Sequence, residues 1–177
     1  MGITTFRDLI FNEEMGGGML NDIKFKALLP SGGSGPCVTE DALDAVLSYE
    51  GLAEFDSAMG SASVIVMDED TDMVWAAMKM THFFKHESCG KCTPCREGTF
   101  WMDKTITRIY KGQGTERDVK TLESVASQIK GKCLCALGEF AVNPILATVR
   151  HFGDEYMAKV KGSEAETAVA DVAVAAD

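Results

Sequence analysis

The spacing of apolar and polar positions changes character near residue 71. Before that point, short helical and strand patterns are mixed. Phe6, Leu9 and Ile10 in TTFRDLIFNEE fall on one side of a short helix, which the glycine run at 16–18 is expected to end. In IKFKALLP, Ile23, Phe25 and Ala27 alternate with Lys24 and Lys26, the period of a half-buried strand that Pro30 is expected to stop. SGGSGP at 31–36 reads as a loop. Such glycines can also cradle a phosphate, but no Gly-Lys-Ser/Thr ending or helix start follows them. ASVIVMDE, around residues 64–67, reads as a continuous apolar strand.

After residue 71 the period becomes helical. Met73, Ala76, Ala77, Met80, Phe83 and Phe84 keep the spacing of one helix face and are expected to meet a core. Thr93-Pro94 has the form of a helix start, with Thr as cap and Pro in the first turn. That helix is expected to run through Trp101, Thr105 and Ile109 to GQG at 112–114. Thr115 caps a third helix whose stripe is Val119, Leu122, Val125 or Ala126, and Ile129, and Gly131 closes it. Asn143-Pro144 repeats the start signal and is expected to open a fourth helix through Ile145, Leu146, Val149 and Phe152. Helices joined by short loops predict a compact bundle. The last residues, GSEAETAVADVAVAAD, show no clear period, and 162–177 is expected to be a disordered tail.

Charge narrows the partners. Acids number 27 and bases 17, a formal net charge of −10 in 177 residues. Phosphate contacts need clustered Lys and Arg, so nucleic acid is not an expected partner. No apolar run approaches the roughly 18 residues of a membrane helix, so no direct membrane insertion is expected. The first residues have neither a signal-peptide nor a transit-peptide pattern, and Phe6 stands where a myristoylation motif wants Ser or Thr. The six cysteines cluster rather than spread, which suits thiols in a reducing compartment that bind a metal or cluster. A cytoplasmic location is expected, either free or at the inner membrane surface through a larger complex.

The chemistry concentrates in ESCGKCTPCREG, residues 87–98. Cys89, Cys92 and Cys95 form two consecutive C-x2-C steps, so three thiolates converge from one turn and one helix start. Structural zinc is usually held by two separated pairs, whereas three ligands in a run plus one remote ligand suit a 4Fe–4S cluster. The run is not the bacterial ferredoxin pattern, because Gly98 stands where a fourth cysteine would be. A helix start offers free N–H groups to an anionic cluster, and Lys91 and Arg96 add positive charge, which would raise its potential. The fourth ligand is left among Cys37, Cys133 and Cys135. Cys37 reads as a buried thiol of the first region, and spacing does not separate Cys133 from Cys135. The rival is a zinc-stabilised interaction module in which the same cysteines serve folding. His82, His86 and His151 are expected to be structural or surface residues. No Ser-His-Asp set, nucleophile elbow or G-x-G-x-x-G is present to support hydrolysis or a bound dinucleotide.

HESCGKCTPCREGT followed by CALGEFAVNPILATVRHF closely resembles the flavoprotein subunit of respiratory complex I, the NADH:quinone oxidoreductase. It is similar also to the diaphorase subunits of NAD-linked hydrogenases and formate dehydrogenases. GGG at 16–18, KFKALLPSGGSGP and GSASVIVMDEDTDMV resemble the segment before the family's cluster domain. The resemblance implies an α+β chain: a partial ubiquitin-like β-grasp domain over 1–70, then a four-helix domain over 71–161 that binds a 4Fe–4S cluster. It implies Cys89, Cys92, Cys95 and Cys135 as ligands, and Cys133 has no counterpart in the motif. Gly138-Glu139 and Asn143 depart from the family's usual Gly-Asp and aromatic residue. FMN and NAD are expected on a domain or partner chain outside this sequence, whose missing hairpin leaves a sheet edge to be covered. The implied function is one-electron relay from that flavin to other iron–sulfur subunits, so the chain is not expected to oxidise NADH alone.

Overall fold

The computed structural model describes residues 4–174, including all side chains but those of Asp22 and of 161–174. The expectation of a disordered tail over 162–177 falls outside the fully described residues. Two compact units follow one another, 1–71 and 72–177.

In the first unit, α1 (Phe6–Phe11) starts on a reciprocal cap. Asp8 N–H donates to Thr5 Oγ1 at 3.1 Å, and Thr5 N–H donates to the Asp8 carboxylate at 3.0 Å. The helix ends at Asn12, ahead of the glycine run at 16–18. Gly17 and Gly18 instead take positive φ in the following turn, and Gly18 N–H returns to Ile10 O at 2.8 Å. β1 (Phe25–Gly33) then leads through α2 (Tyr49–Ala53) to β2 (Ile65–Asp68), which pairs with β1 antiparallel. The register places Ala27 opposite Met67, Leu28 opposite Val66 and Leu29 opposite Ile65. Phe6, Ile10, Leu28, Val38, Leu43 and Leu52 are buried together as the core.

Two strand expectations need correction. β1 does not stop at Pro30 but continues to Gly33, through what reads in sequence as a loop. Leu28 exchanges both backbone hydrogen bonds with Val38 at 3.0 Å, in an isolated bridge. The backbone nitrogen two residues on lies along that same edge, where the pairing has ended, so a missing donor costs nothing. In β2, Ile65 and Val66 are exposed despite their apolar character, and Met67 is buried.

The second unit comprises α3 (Met73–Glu87), α4 (Thr93–Tyr110), α5 (Glu116–Ile129) and α6 (Leu137–Val174). α3 packs on α4 and α6, α4 on α5, and α5 on α6, so the chain is α+β with a four-helix arrangement after a small sheet. The core joins Val74, Ala77 and Phe84 of α3 to Met102, Ile106 and Ile109 of α4. Val119, Leu122, Ala126 and Ile129 of α5, with Ala141, Val142, Ile145 and Tyr156 of α6, complete it. The α5 stripe matches its sequence pattern, and its Thr115 cap is closed by Asp118 in return. On α3 the stripe is rotated slightly. Phe83 is exposed against Phe84 in an edge-to-face pair, while Thr81 is fully buried by donating to Ala77 O at 2.8 Å. Trp101 on α4 is likewise exposed, with its neighbour Met102 buried instead.

The fourth helix departs most from expectation. It begins at Leu137 rather than at Asn143-Pro144, so Pro144 lies inside it. A proline there forgoes one helical hydrogen bond. Ala141, Val142 and Ile145, all fully buried, flank it and hold the turn in place. The departure from helical geometry comes later, at Phe152 (φ −131°, ψ 31°). Buried Tyr156 returns its hydroxyl to Thr148 Oγ1 at 2.7 Å across that point. Among the described residues no helix is long and apolar enough to cross a membrane.

Candidate metal centre

Three of the site cysteines lie between α3 and the first turn of α4. After Ser88 ends α3, Gly90 turns the chain with φ +74°. Arg96 Nη1 braces that turn by donating to Gly90 O at 3.0 Å, and its Nε pairs with Glu97 at 2.8 Å. Arg96, expected only as a nearby cation, therefore also shapes the loop. The helix starts one residue earlier than Thr93-Pro94 suggests, with Cys92 in the cap position and extended (φ −105°, ψ 139°). Cys95 then falls within the first turn, where backbone N–H groups lack helical partners. Cys89 is exposed, Cys92 half-buried, and Cys95 buried with Ser88 Oγ 3.3 Å from its sulfur.

The remaining thiols come from the α5–α6 connection. Gly131, at φ +74°, ends α5, and its N–H is held by the Glu139 carboxylate. Lys132 N–H donates back to Ile129 O at 3.0 Å. Cys133 turns inward: it packs against the bundle core, and its sulfur is 3.9 Å from Ile129 O. It fills the space beside Gly138, where a Cβ would overlap the Cys133 side chain. Cys135 is exposed and directly precedes the first turn of α6, where Phe140 N–H donates to Ala136 O at 3.0 Å. Both cysteine segments thus stand at helix N-termini, favourable ground for an anionic group.

The two segments meet at Cys92. The Leu134 N–H points at its sulfur, as do the Cys95 N–H and the Cys133 thiol, and together they hold the Cys92 thiol below its ordinary pKa. Burial pushes Cys133 up to about 11, reinforced by its neighbour Cys92. Sequence reasoning missed this contact. The signal lay in Gly138, a glycine inside a helix, which leaves room for a side chain from the preceding loop. Cys37 lies buried in the first unit, its thiol pushed up to about 12 by desolvation.

The histidines take structural roles. His82 Nδ1 lies 3.2 Å from buried Asp103, which also receives Lys85 at 3.0 Å, and His86 pairs with Glu87 at 2.9 Å. His151 lies against the Phe152 ring. Among the described residues, no three His, Cys, Asp or Glu groups converge as ligands of a single ion would. An iron–sulfur cluster makes a different demand, since each cysteine sulfur binds a different iron and the four stand apart around it. An all-thiol set at two helix starts, with N–H groups directed at one sulfur, fits that group.

The same region carries the comparisons with known proteins. Residues 75–159 match the NADH-ubiquinone oxidoreductase-F iron–sulfur binding region. The chain is 43% identical over 162 residues to the NADH-quinone oxidoreductase-F protein of Mycobacterium tuberculosis, covering 92% of this chain and 36% of the relative. It is 40% identical over 136 residues to the mitochondrial NADH-ubiquinone oxidoreductase 51 kDa subunit of Neurospora crassa, covering 76% and 28%. Among solved structures, a chain of the NAD+-reducing NiFe-hydrogenase in its H2-reduced state superposes with a TM-score of 0.76 at 26% identity. That match covers 98% of this chain and 30% of the hydrogenase chain. Through residues 75–159 the chain belongs to the iron–sulfur binding family of complex I flavoprotein subunits. It spans about a third of the length of the curated relatives it matches.

Proposed function

We infer that the chain is a one-electron relay, holding a 4Fe–4S cluster on Cys89, Cys92, Cys95 and Cys135. The observation that carries this reading is the arrangement of thiols at the starts of α4 and α6, inside the matched family region. The cluster, when bound, supplies a site that gains and loses single electrons. The chain's residues do the rest. Cys89, Cys92 and Cys95 approach from one loop, and Arg96 fixes that loop through Gly90 O. Cys135 closes the set from the exposed connection before α6. The N–H groups of Leu134 and Cys95 stabilise added negative charge at Cys92. The names of the relatives support the wider setting: a flavin and NADH on a domain or partner chain outside this sequence, and further iron–sulfur subunits beyond. In that setting the protein works in the cytoplasm, free or on the inner membrane surface through its complex.

Hydride transfer from NADH moves two electrons together and needs a cofactor such as a flavin to receive them. The cluster-loaded chain on its own is therefore expected to be reduced by dithionite and left oxidised by NADH. Visible absorption under anaerobic conditions reads both. Bleaching by NADH alone would contradict the relay reading.

A further inference from the structure

The Cys133 side chain occupies a built niche. Gly138 leaves the volume it fills, Ile129 O stands 3.9 Å from its sulfur, and the bundle core packs against it. From there it faces Cys92, the sulfur at which the Leu134 and Cys95 N–H groups also point. Cys135, two residues away, is exposed and makes no such contact with Cys92.

We propose that Cys133 is not a ligand but a thiol donor to the Cys92 sulfur, making Cys92 the corner of the cluster where added electron density is stabilised. The proposal rests on Cys135 being the fourth ligand. A sulfur that gives its electrons to iron as a thiolate has no proton left, so in this pair Cys92 accepts and Cys133 donates. The alternative acceptor, Ile129 O, is neutral and distant, whereas a bond to an ionised acceptor is roughly twice as strong as a neutral one. Reduction adds negative charge to the cluster and its sulfurs, so donors to sulfur favour the reduced form. Cys133 is in this sense a positioning residue: it touches a ligand and tunes it without binding iron.

The test is a potentiometric titration of the cluster-loaded chain, with iron measured in parallel, in wild type, Cys133→Ala, Cys133→Ser and Gly138→Ala. All four are expected to carry the same iron. Cys133→Ala shifts the one-electron equilibrium against reduction by about tenfold, ~59 mV to more negative potential. Cys133→Ser recovers most of the shift, because a hydroxyl also donates. Gly138→Ala changes no thiol but expels Cys133 from its niche, so it lowers the potential in the same direction. It also keeps the question open to test should Cys133→Ala fail to fold. An unchanged potential with full iron in Cys133→Ala and Gly138→Ala would overturn this inference and leave the ligand assignment intact. Loss of iron in Cys133→Ala and Cys133→Ser, with Cys135→Ser retaining it, would overturn both.

Discussion

Cys135→Ser is expected to yield a folded chain that no longer holds its cluster, while Cys133→Ser keeps it. The expectation comes from where the two residues stand. Cys135 is exposed at the start of α6, in a segment with no buried role, so replacing its sulfur leaves the bundle core intact. A hydroxyl is a poor replacement for a thiolate on iron, and three remaining ligands leave one iron uncovered. Cys133 instead packs inward beside Gly138. The readouts are iron content and visible absorption after anaerobic purification, with circular dichroism to confirm the helices. The opposite pattern, iron kept in Cys135→Ser and lost in Cys133→Ser, would reassign the fourth ligand.

Gly98→Leu is expected to be among the most destabilising substitutions in the helical unit, lowering its stability by about 3 kcal/mol. Gly98 is buried on α4, and a Cβ there would overlap the tip of Ile129 on α5. Removing a glycine from a helix interior returns about 1 kcal/mol of propensity at most, too little to offset forced separation of two packed helices. Because α4 also carries Cys92 and Cys95, the strain reaches the site from one turn away. Adding Ile129→Ala should restore part of the stability, since it removes the side chain that Gly98 accommodates. Thermal and chemical denaturation measure both. A Gly98→Leu chain as stable as wild type would show that α4 and α5 do not pack as described.

The sequence made some of this legible and hid the rest for physical reasons. Thr115 with Asp118 is a local cap, and the stripe Val119, Leu122, Ala126 and Ile129 is a local period, so both survived into the structure. The cysteine run was legible because three ligands are adjacent in sequence. The helix start at Asn143-Pro144 was misplaced because proline fits a first turn so well. Burial of Ala141, Val142 and Ile145 is a tertiary effect that local preference does not contain. Pro30 misled in a similar way: whether a missing N–H matters depends on which edge of the strand is paired. Phe83 and Trp101 belong to apolar runs, yet both are exposed beside the residues that enter the core. The Cys133–Cys92 contact joins residues 41 positions apart, and only the fold brings them together.

The most direct test of the central claim is metal analysis of anaerobically purified protein, combined with electron paramagnetic resonance after one-electron reduction. The expected protein is brown, carries about four irons and no stoichiometric zinc, and becomes paramagnetic when reduced. A colourless protein that holds about one zinc and stays silent after reduction would contradict the relay and leave a zinc-stabilised module in its place.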